Sequence, residues 1–415
     1  PTEIQFPGNF LLYDRYRTNP EQFVFNESAN FIDSINRSER IVEEIRAGYI
    51  QGELKLWNNR LALVGGVRLE RTENTGFGAL RDRAAAYQRD ASGNFVRAAN
   101  GNPILITSNA LERAKLEYKE RGAVNNRSYS DYYPSFAATY ELRSNLLLRL
   151  GYSRTLGRPN FTNILPTRDV QQDLAEDDGS VGRISARNPA LKPWESNNYD
   201  ASLEYYFKSS GVVSAGVFQK DVVNGFGSET RVLDEALLAE FDLDTLYLGW
   251  DLVGTFNVGE PVRISGVELN YQQRLSFLPM TWARGFSVFG NTTFLDIAGP
   301  ETNFSRMVRH SASWGIRYSH RRIGFGFNWN YRTSRTTARP QVGPEGVTYF
   351  PSMMTMDATS EFRVTPNVGL FFNVRNLTDQ WSSISKQYSP NTPNYIPFVR
   401  THTGLKFAAG IRGTF

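Results

Sequence analysis

The chain has 415 residues, with 46 Lys and Arg against 42 Asp and Glu, no cysteine, 40% hydrophobic residues and 13% aromatics. The lack of cysteine excludes a disulfide framework, a Cys-ligated metal site and a thiol nucleophile, and 34 Gly and 19 Pro without a period exclude a collagen-like or low-complexity chain. No apolar run approaches the roughly 18 residues of a membrane-crossing helix, and basic residues interleave with acids throughout, so the net charge of +4 indicates a mixed, solvated surface and no nucleic-acid partner.

The chain opens with Pro1 and has no basic-then-apolar leader, so it reads as a processed or truncated product. Residues 1–42 read as an extracellular loop or a partial strand, with 9–15 as the stretch most able to supply an extra strand. From residue 43 onward the period is two. The clearest case is Ile323–Arg332, where Ile323, Phe325, Phe327, Trp329 and Tyr331 alternate with small or polar residues. The same pattern runs through 47–57, 61–72, 132–142, 146–155, 197–207, 212–221, 266–275, 286–295, 310–318, 354–363, 368–377 and 402–415. About thirteen strands of roughly ten residues result, the length that spans a bilayer when tilted.

Short connections at Asn58-Asn59, 143–145, 208–211, 276–285, 319–322 and 364–367 alternate with long polar segments near 73–131, 156–196, 222–265, 296–309, 333–353 and 378–401. Tight periplasmic turns on one rim and long extracellular loops on the other produce that alternation. Aromatics gather at segment ends, as at Tyr49 and Trp57, Tyr132 and Tyr140, Tyr205 and Phe207, Trp314 and Tyr318, and Trp329 and Tyr331, in keeping with two interfacial girdles. The fold class is therefore all-β, an antiparallel transmembrane β-barrel of the bacterial outer membrane. An odd strand number does not close the usual even-numbered barrel. Either 9–15 adds a strand or the barrel begins upstream of this chain.

Strand parity turns Glu268, Arg274, Arg317, Asp357, Glu361 and Arg375 inward, giving a charged lumen that either grips a plug or sets the selectivity of an open pore. In the long loops, Trp194, Trp250, Trp381, Tyr388 and Tyr395 stand among polar neighbours. They are candidates to stack on a sugar or grip a siderophore, against the plainer reading of loop packing or interface anchoring. His310, His320 and His402 have no metal spacing, and the acidic run 173–179 lacks the ligand positions of an EF-hand, so no metal or cofactor is expected. No hydrolase or nucleotide motif occurs, and no enzyme is expected.

Four stretches, "YYPSFAATYELRSNLLLRLGYSRTLGRPNF" from Tyr132, "NPALKPWESNNYDASLEYYF" from Asn188, "SGVELNYQQRLSFLP" from Ser265 and "NVRNLTDQ" from Asn373, resemble the TonB-dependent outer-membrane receptors, particularly their carbohydrate-associated group. The resemblance covers about residues 40 to 415, with the turn at Gly157 to Phe161 as a structural element. It implies the C-terminal part, about 13 strands, of a 22-stranded barrel, in which the strand at Ala47 is about the tenth and runs inward. It further implies a plug and a TonB-contacting segment that lie outside this chain. Phe415, Ile411, Gly410 and Phe407 match the terminal signal read by the barrel-assembly machinery, although Gly413 stands where a second aromatic is usual. The implied partners are the TonB complex, outer-membrane lipids, the assembly machinery and a surface lipoprotein; the implied solute is an oligosaccharide, with an iron–siderophore next. The rival readings are a passive porin or structural barrel of about 14 strands and an outer-membrane hydrolase.

Overall fold

The computed structural model describes residues 8–172, 182–188, 190–208, 210–241, 243–258, 260–299, 307–336, 347–387 and 396–414. Two helices, α1 (Asn9–Thr18) and α2 (Glu27–Asn36), lead into a wall of strands. The first six strands are β1 (Arg40–Leu56), β2 (Leu61–Asp82), β3 (Tyr118–Arg143), β4 (Leu146–Gly157), β5 (Trp194–Phe207) and β6 (Gly211–Val223). The wall continues with β7 (Val262–Arg274), β8 (Phe286–Ala298), β9 (His310–His320), β10 (Ile323–Arg332), β11 (Met353–Arg363), β12 (Val368–Arg375) and β13 (Lys406–Gly413).

Every strand of the wall pairs antiparallel with the next. Among the described residues β1 pairs only with β2 and β13 only with β12, so the sheet has two free edges. Directly opposed residues share a face, and the register therefore sorts the wall into two surfaces. Between β9 and β10, Trp314 opposes Trp329, Ile316 opposes Phe327 and Tyr318 opposes Phe325, while Arg317 opposes Gly326 and Ser313 opposes Asn330. Followed strand by strand, the polar surface collects Glu268, Arg274, Arg317, Asp357, Glu361 and Arg375. The other surface collects Phe294, Phe362, Leu370, Phe372, Phe407 and Ile411. Its rings touch across strands, as in Phe286 with Tyr318 at 4.6 Å and Tyr318 with Phe325 at 5.0 Å.

Three expectations change. Residues 9–15 belong to α1 and form no strand: Phe10 to Tyr13 is an unbroken apolar run without alternation, bounded by Gly8 and by Asn19-Pro20. The segment 73–131 begins and ends as strand, since β2 continues to Asp82 and β3 begins at Tyr118, with Glu73 opposite Ser128 and Phe77 opposite Val124. Paired backbone that rises past the membrane needs no continuous apolar face, which is why the period-two signal fades there. At the other end the last strand covers Lys406–Gly413, shorter than 402–415, and Phe415 lies outside the described residues.

The short turns hold tight backbone. Trp57, Asn58 and Asn59 all take left-handed conformations, with φ of 53°, 55° and 66°, at the β1–β2 turn. Asparagine tolerates that region better than most residues. On the opposite rim the long connections fold into further strands: Arg168–Gln172, Gly182–Ala186, Gly225–Val232 and Asp251–Val258. A separate small sheet joins Arg335–Thr336, Val347–Phe350, Ser382–Gln387 and Ile396–Thr401.

Candidate functional site

The outer end of β2 is where the wall turns into a roof. Leu80 to Asp82 pairs in parallel with Arg168 to Val170, that strand pairs antiparallel with Gly182–Ala186, and the latter pairs in parallel with Asp251 to Val253. Gly225–Val232 completes the series beside Asp251–Val258. One sheet thus draws residues from three long connections that sequence reading treated as separate loops. Its core is Val170, Ile184, Leu233, Leu237, Leu238, Phe241, Trp250, Leu252 and Phe256, with Leu80 packed against it.

Two glycines let the roof sit against the wall. A Cβ at Gly76 would lie 2.7 Å from the Pro166 ring, and one at Gly78 would lie 2.7 Å from the Pro166 carbonyl oxygen, so only hydrogen at both positions admits that segment. Arg127 of β3 donates to the carbonyls of Ala239, at 3.2 Å, and Glu240, fixing the helix Glu235–Phe241 to the polar face. Arg168 donates to the Phe241 carbonyl at 2.7 Å. Glu70, 8% exposed, accepts from Arg68 at 2.7 Å and from Arg158 at the start of the segment that reaches Pro166.

The rim carries paired charges. Arg83 meets Asp169 at 2.8 Å, Arg81 meets Glu117 at 2.9 Å, Arg187 meets Glu39 at 2.7 Å and Arg231 meets Glu229 at 2.7 Å. Arg231 also lies 3.9 Å over the Phe256 ring. Tyr247 stands edge-on to Trp250 at 5.0 Å, and burial, reinforced by Asp82 and Asp244, pushes its phenol above the ordinary value. Lower on the polar face, a recess of about 370 Å³ is lined by Asn270, Gln272, Ser287, Phe289, Asn291 and Arg317. Such a set of amides, a hydroxyl, a ring and a guanidinium can bind hydroxyl-rich solutes by hydrogen bonding and stacking.

The loop aromatics fall in different settings. Trp250 is 3% exposed in the roof core, so its ring supports the roof and presents no face to solvent. Trp194, at the start of β5, packs edge-on to Phe226 at 5.3 Å. Trp381 is 50% exposed and stacks on His402 at 4.2 Å, while His402 Nε2 stands 2.7 Å from Asp379 Oδ1. Tyr388 and Tyr395 lie outside the described residues, as does the acidic run 173–179. On β13, Phe407 and Ile411 occupy the apolar surface and Gly410 the polar one, where a Cβ would lie 2.8 Å from the Phe371 ring. The roof was missed in the sequence because its strands are short and pair over long separations. Gly76-Phe77-Gly78, in the outer part of β2, is a mark of close backbone approach that the sequence does carry.

The model of the family described as "TonB dependent receptor-like, beta-barrel" matches residues 3–377. Among solved structures, the ferric citrate transporter FecA in its unliganded form is 13% identical, with a TM-score of 0.54 over 90% of this chain and 45% of that one. The ferric yersiniabactin uptake receptor FyuA from Yersinia pestis is also 13% identical, with a TM-score of 0.54 over 91% of this chain and 46% of that one. The copper transporter OprC is 13% identical, with a TM-score of 0.53 over 90% of this chain and 48% of that one. These likenesses concern the fold, and the chain spans about half the length of the structures it matches.

Proposed function

Because the chain belongs to the TonB-dependent receptor-like β-barrel family of the bacterial outer membrane, we propose that it is the C-terminal barrel portion of a receptor that imports a scarce solute. Residues 43–415 form barrel wall and loops in this reading, and 1–42 lie on the extracellular side. A plug encoded upstream and the TonB complex complete the machine, with energy from the inner membrane moving the plug aside. Outer-membrane lipids cover the aromatic surface, the barrel-assembly machinery reads the end of the chain, and a surface lipoprotein is a further partner.

The observation that carries the reading is a folded roof on the long-loop side of a two-faced wall. Loops held on a rigid scaffold are the usual place for solute capture. We favour an oligosaccharide as the solute. The rim arginines named above are engaged with carboxylates, so the rim offers many hydrogen bonds with little unbalanced charge, a surface suited to hydroxyl groups. An iron chelate is the second reading, favoured by the ferric citrate and ferric yersiniabactin transporters among the similar folds.

The test is uptake of labelled oligosaccharides and labelled ferric chelates by cells carrying the full-length receptor, with and without TonB. Oligosaccharide uptake that disappears without TonB is the expected result. Uptake that persists without TonB, together with steady conductance in planar bilayers, would replace the coupled receptor by a passive pore.

A further inference from the structure

Along β2 and the roof, alternate residues face opposite ways. Leu80 enters the roof core, whereas Arg81 turns to the other side, where Asp169, Ser185 and Arg187 join it through the registered pairs Arg81–Asp169 and Asp169–Ser185. That second side holds an open cleft of about 440 Å³, within the size range of small-molecule sites. Asn36, the last residue of α2, Glu39 beyond it and Tyr118, at the start of β3, close it.

The chemistry of the cleft is balanced. Arg187 and Glu39 pair at 2.7 Å; Arg81 pairs with Glu117 at 2.9 Å and lies 5.0 Å over the Tyr118 ring; Asp169 pairs with Arg83 at 2.8 Å. Arg168 also borders the cleft, but it pairs with Leu80 and its guanidinium turns to the Phe241 carbonyl on the core side; on the side of Arg81, two guanidinium groups face two carboxylates, which leaves no surplus charge there to attract an anion or a cation. Hydrogen-bonding capacity remains all the same. Among the described residues the Asn36 amide, the Ser185 hydroxyl, Arg187 Nη2 and Glu39 Oε2 have no partner. Donors and acceptors held rigidly side by side beside an aromatic ring match the alternating hydroxyls of a sugar, each of which both donates and accepts.

We propose that this cleft binds an uncharged sugar unit and holds a glycan on the outside of the roof, away from the polar wall of the channel. The inference rests on the oligosaccharide reading and adds both a place and a charge class to it. An acidic sugar or a ferric chelate would meet Glu39 and Asp169 without a free positive charge in compensation.

The experiment is binding of fluorescently labelled hexasaccharides of glucose, galactose, mannose, xylose and galacturonate, and of labelled ferric citrate, to the detergent-solubilised full-length receptor, alongside Asn36→Trp and Arg187→Leu. Asn36 is exposed, so its substitution fills the cleft without opening the roof; heat-modifiable gel migration and circular dichroism confirm that both variants are folded. The expected result is that a neutral hexasaccharide binds, that either variant weakens it at least tenfold, and that added salt has little effect. Undiminished binding in folded Asn36→Trp overturns the cleft and leaves the oligosaccharide reading standing. Preference for galacturonate, lost in salt, overturns the assigned charge class. Binding of a ferric chelate and of no hexasaccharide defeats the reading beneath the inference.

Discussion

At the scale of single residues, the roof depends on a few places where nothing larger fits. A Cβ at Gly182 would lie 2.4 Å from the Trp250 ring, which is itself held by the roof core. Gly182→Ala should therefore push the indole out of place at a cost of about 1–3 kcal/mol, read as faster hydrogen exchange in the peptides covering 225–258. Unchanged exchange there would show that the ring has room to move. Tyr247 supplies a test by pH. Its folded-state pKa is raised, chiefly by burial, so the neutral phenol favours the folded roof. That contribution is complete below the unfolded value of about 10 and is lost as pH rises through the higher folded value. Alkaline titration of the full-length receptor should show the roof loosening as Tyr247 ionises, and Tyr247→Phe should remove that loosening and one of the late-appearing tyrosinates.

At the scale of elements, the roof is a unit with its own core, joined to the wall at Leu80 and Arg127. Leu252 is fully buried in that core. Leu252→Ala should cost about 2–5 kcal/mol, spent almost wholly on the roof. Limited proteolysis should then cut within 225–258 while the wall keeps its heat-modifiable migration; loss of both together would mean that roof and wall fold as one. Legibility in the sequence follows the same division. The wall strands could be read because a membrane imposes one apolar face, and Phe325, Phe327 and Trp329 announce it. Above the membrane that demand ends, and the stretch from Glu73 to Arg81 reads as loop although it is paired with β3 on both sides of one irregularity between Gly78 and Leu80. Helix α1 was open to misreading because Phe10 to Tyr13 are apolar yet exposed, Phe10 at 88%, so burial left no period in the sequence. Trp250 stood out as a large aromatic within a long connection. Val170 and Ile184, which share its core, come from a different connection far away in sequence, and that separation conceals the core.

At the scale of the whole molecule, what counts is which surface of the wall meets lipid, and adjacent residues can decide it. Phe327 lies opposite Ile316 and Ala358 on the aromatic surface, whereas Asn328 lies opposite Gly315 and Asp357 on the polar one. Both sit near the middle of β10, far from either rim. In the proposed orientation Phe327→Arg places a guanidinium in the hydrocarbon, at a cost of about 2–4 kcal/mol at the bilayer midplane. Asn328→Arg places the same group in a wet interior beside the Asp357 carboxylate and should be nearly neutral. Urea unfolding of the full-length receptor in lipid vesicles, followed by tryptophan emission, measures both. Equal costs would mean that neither surface contacts lipid, and a reversed order would turn the wall inside out. The expected order, with Phe327→Arg alone destabilising, would place Glu268, Arg317 and Glu361 around a polar interior, because the strand register ties all of them to the face of Asn328.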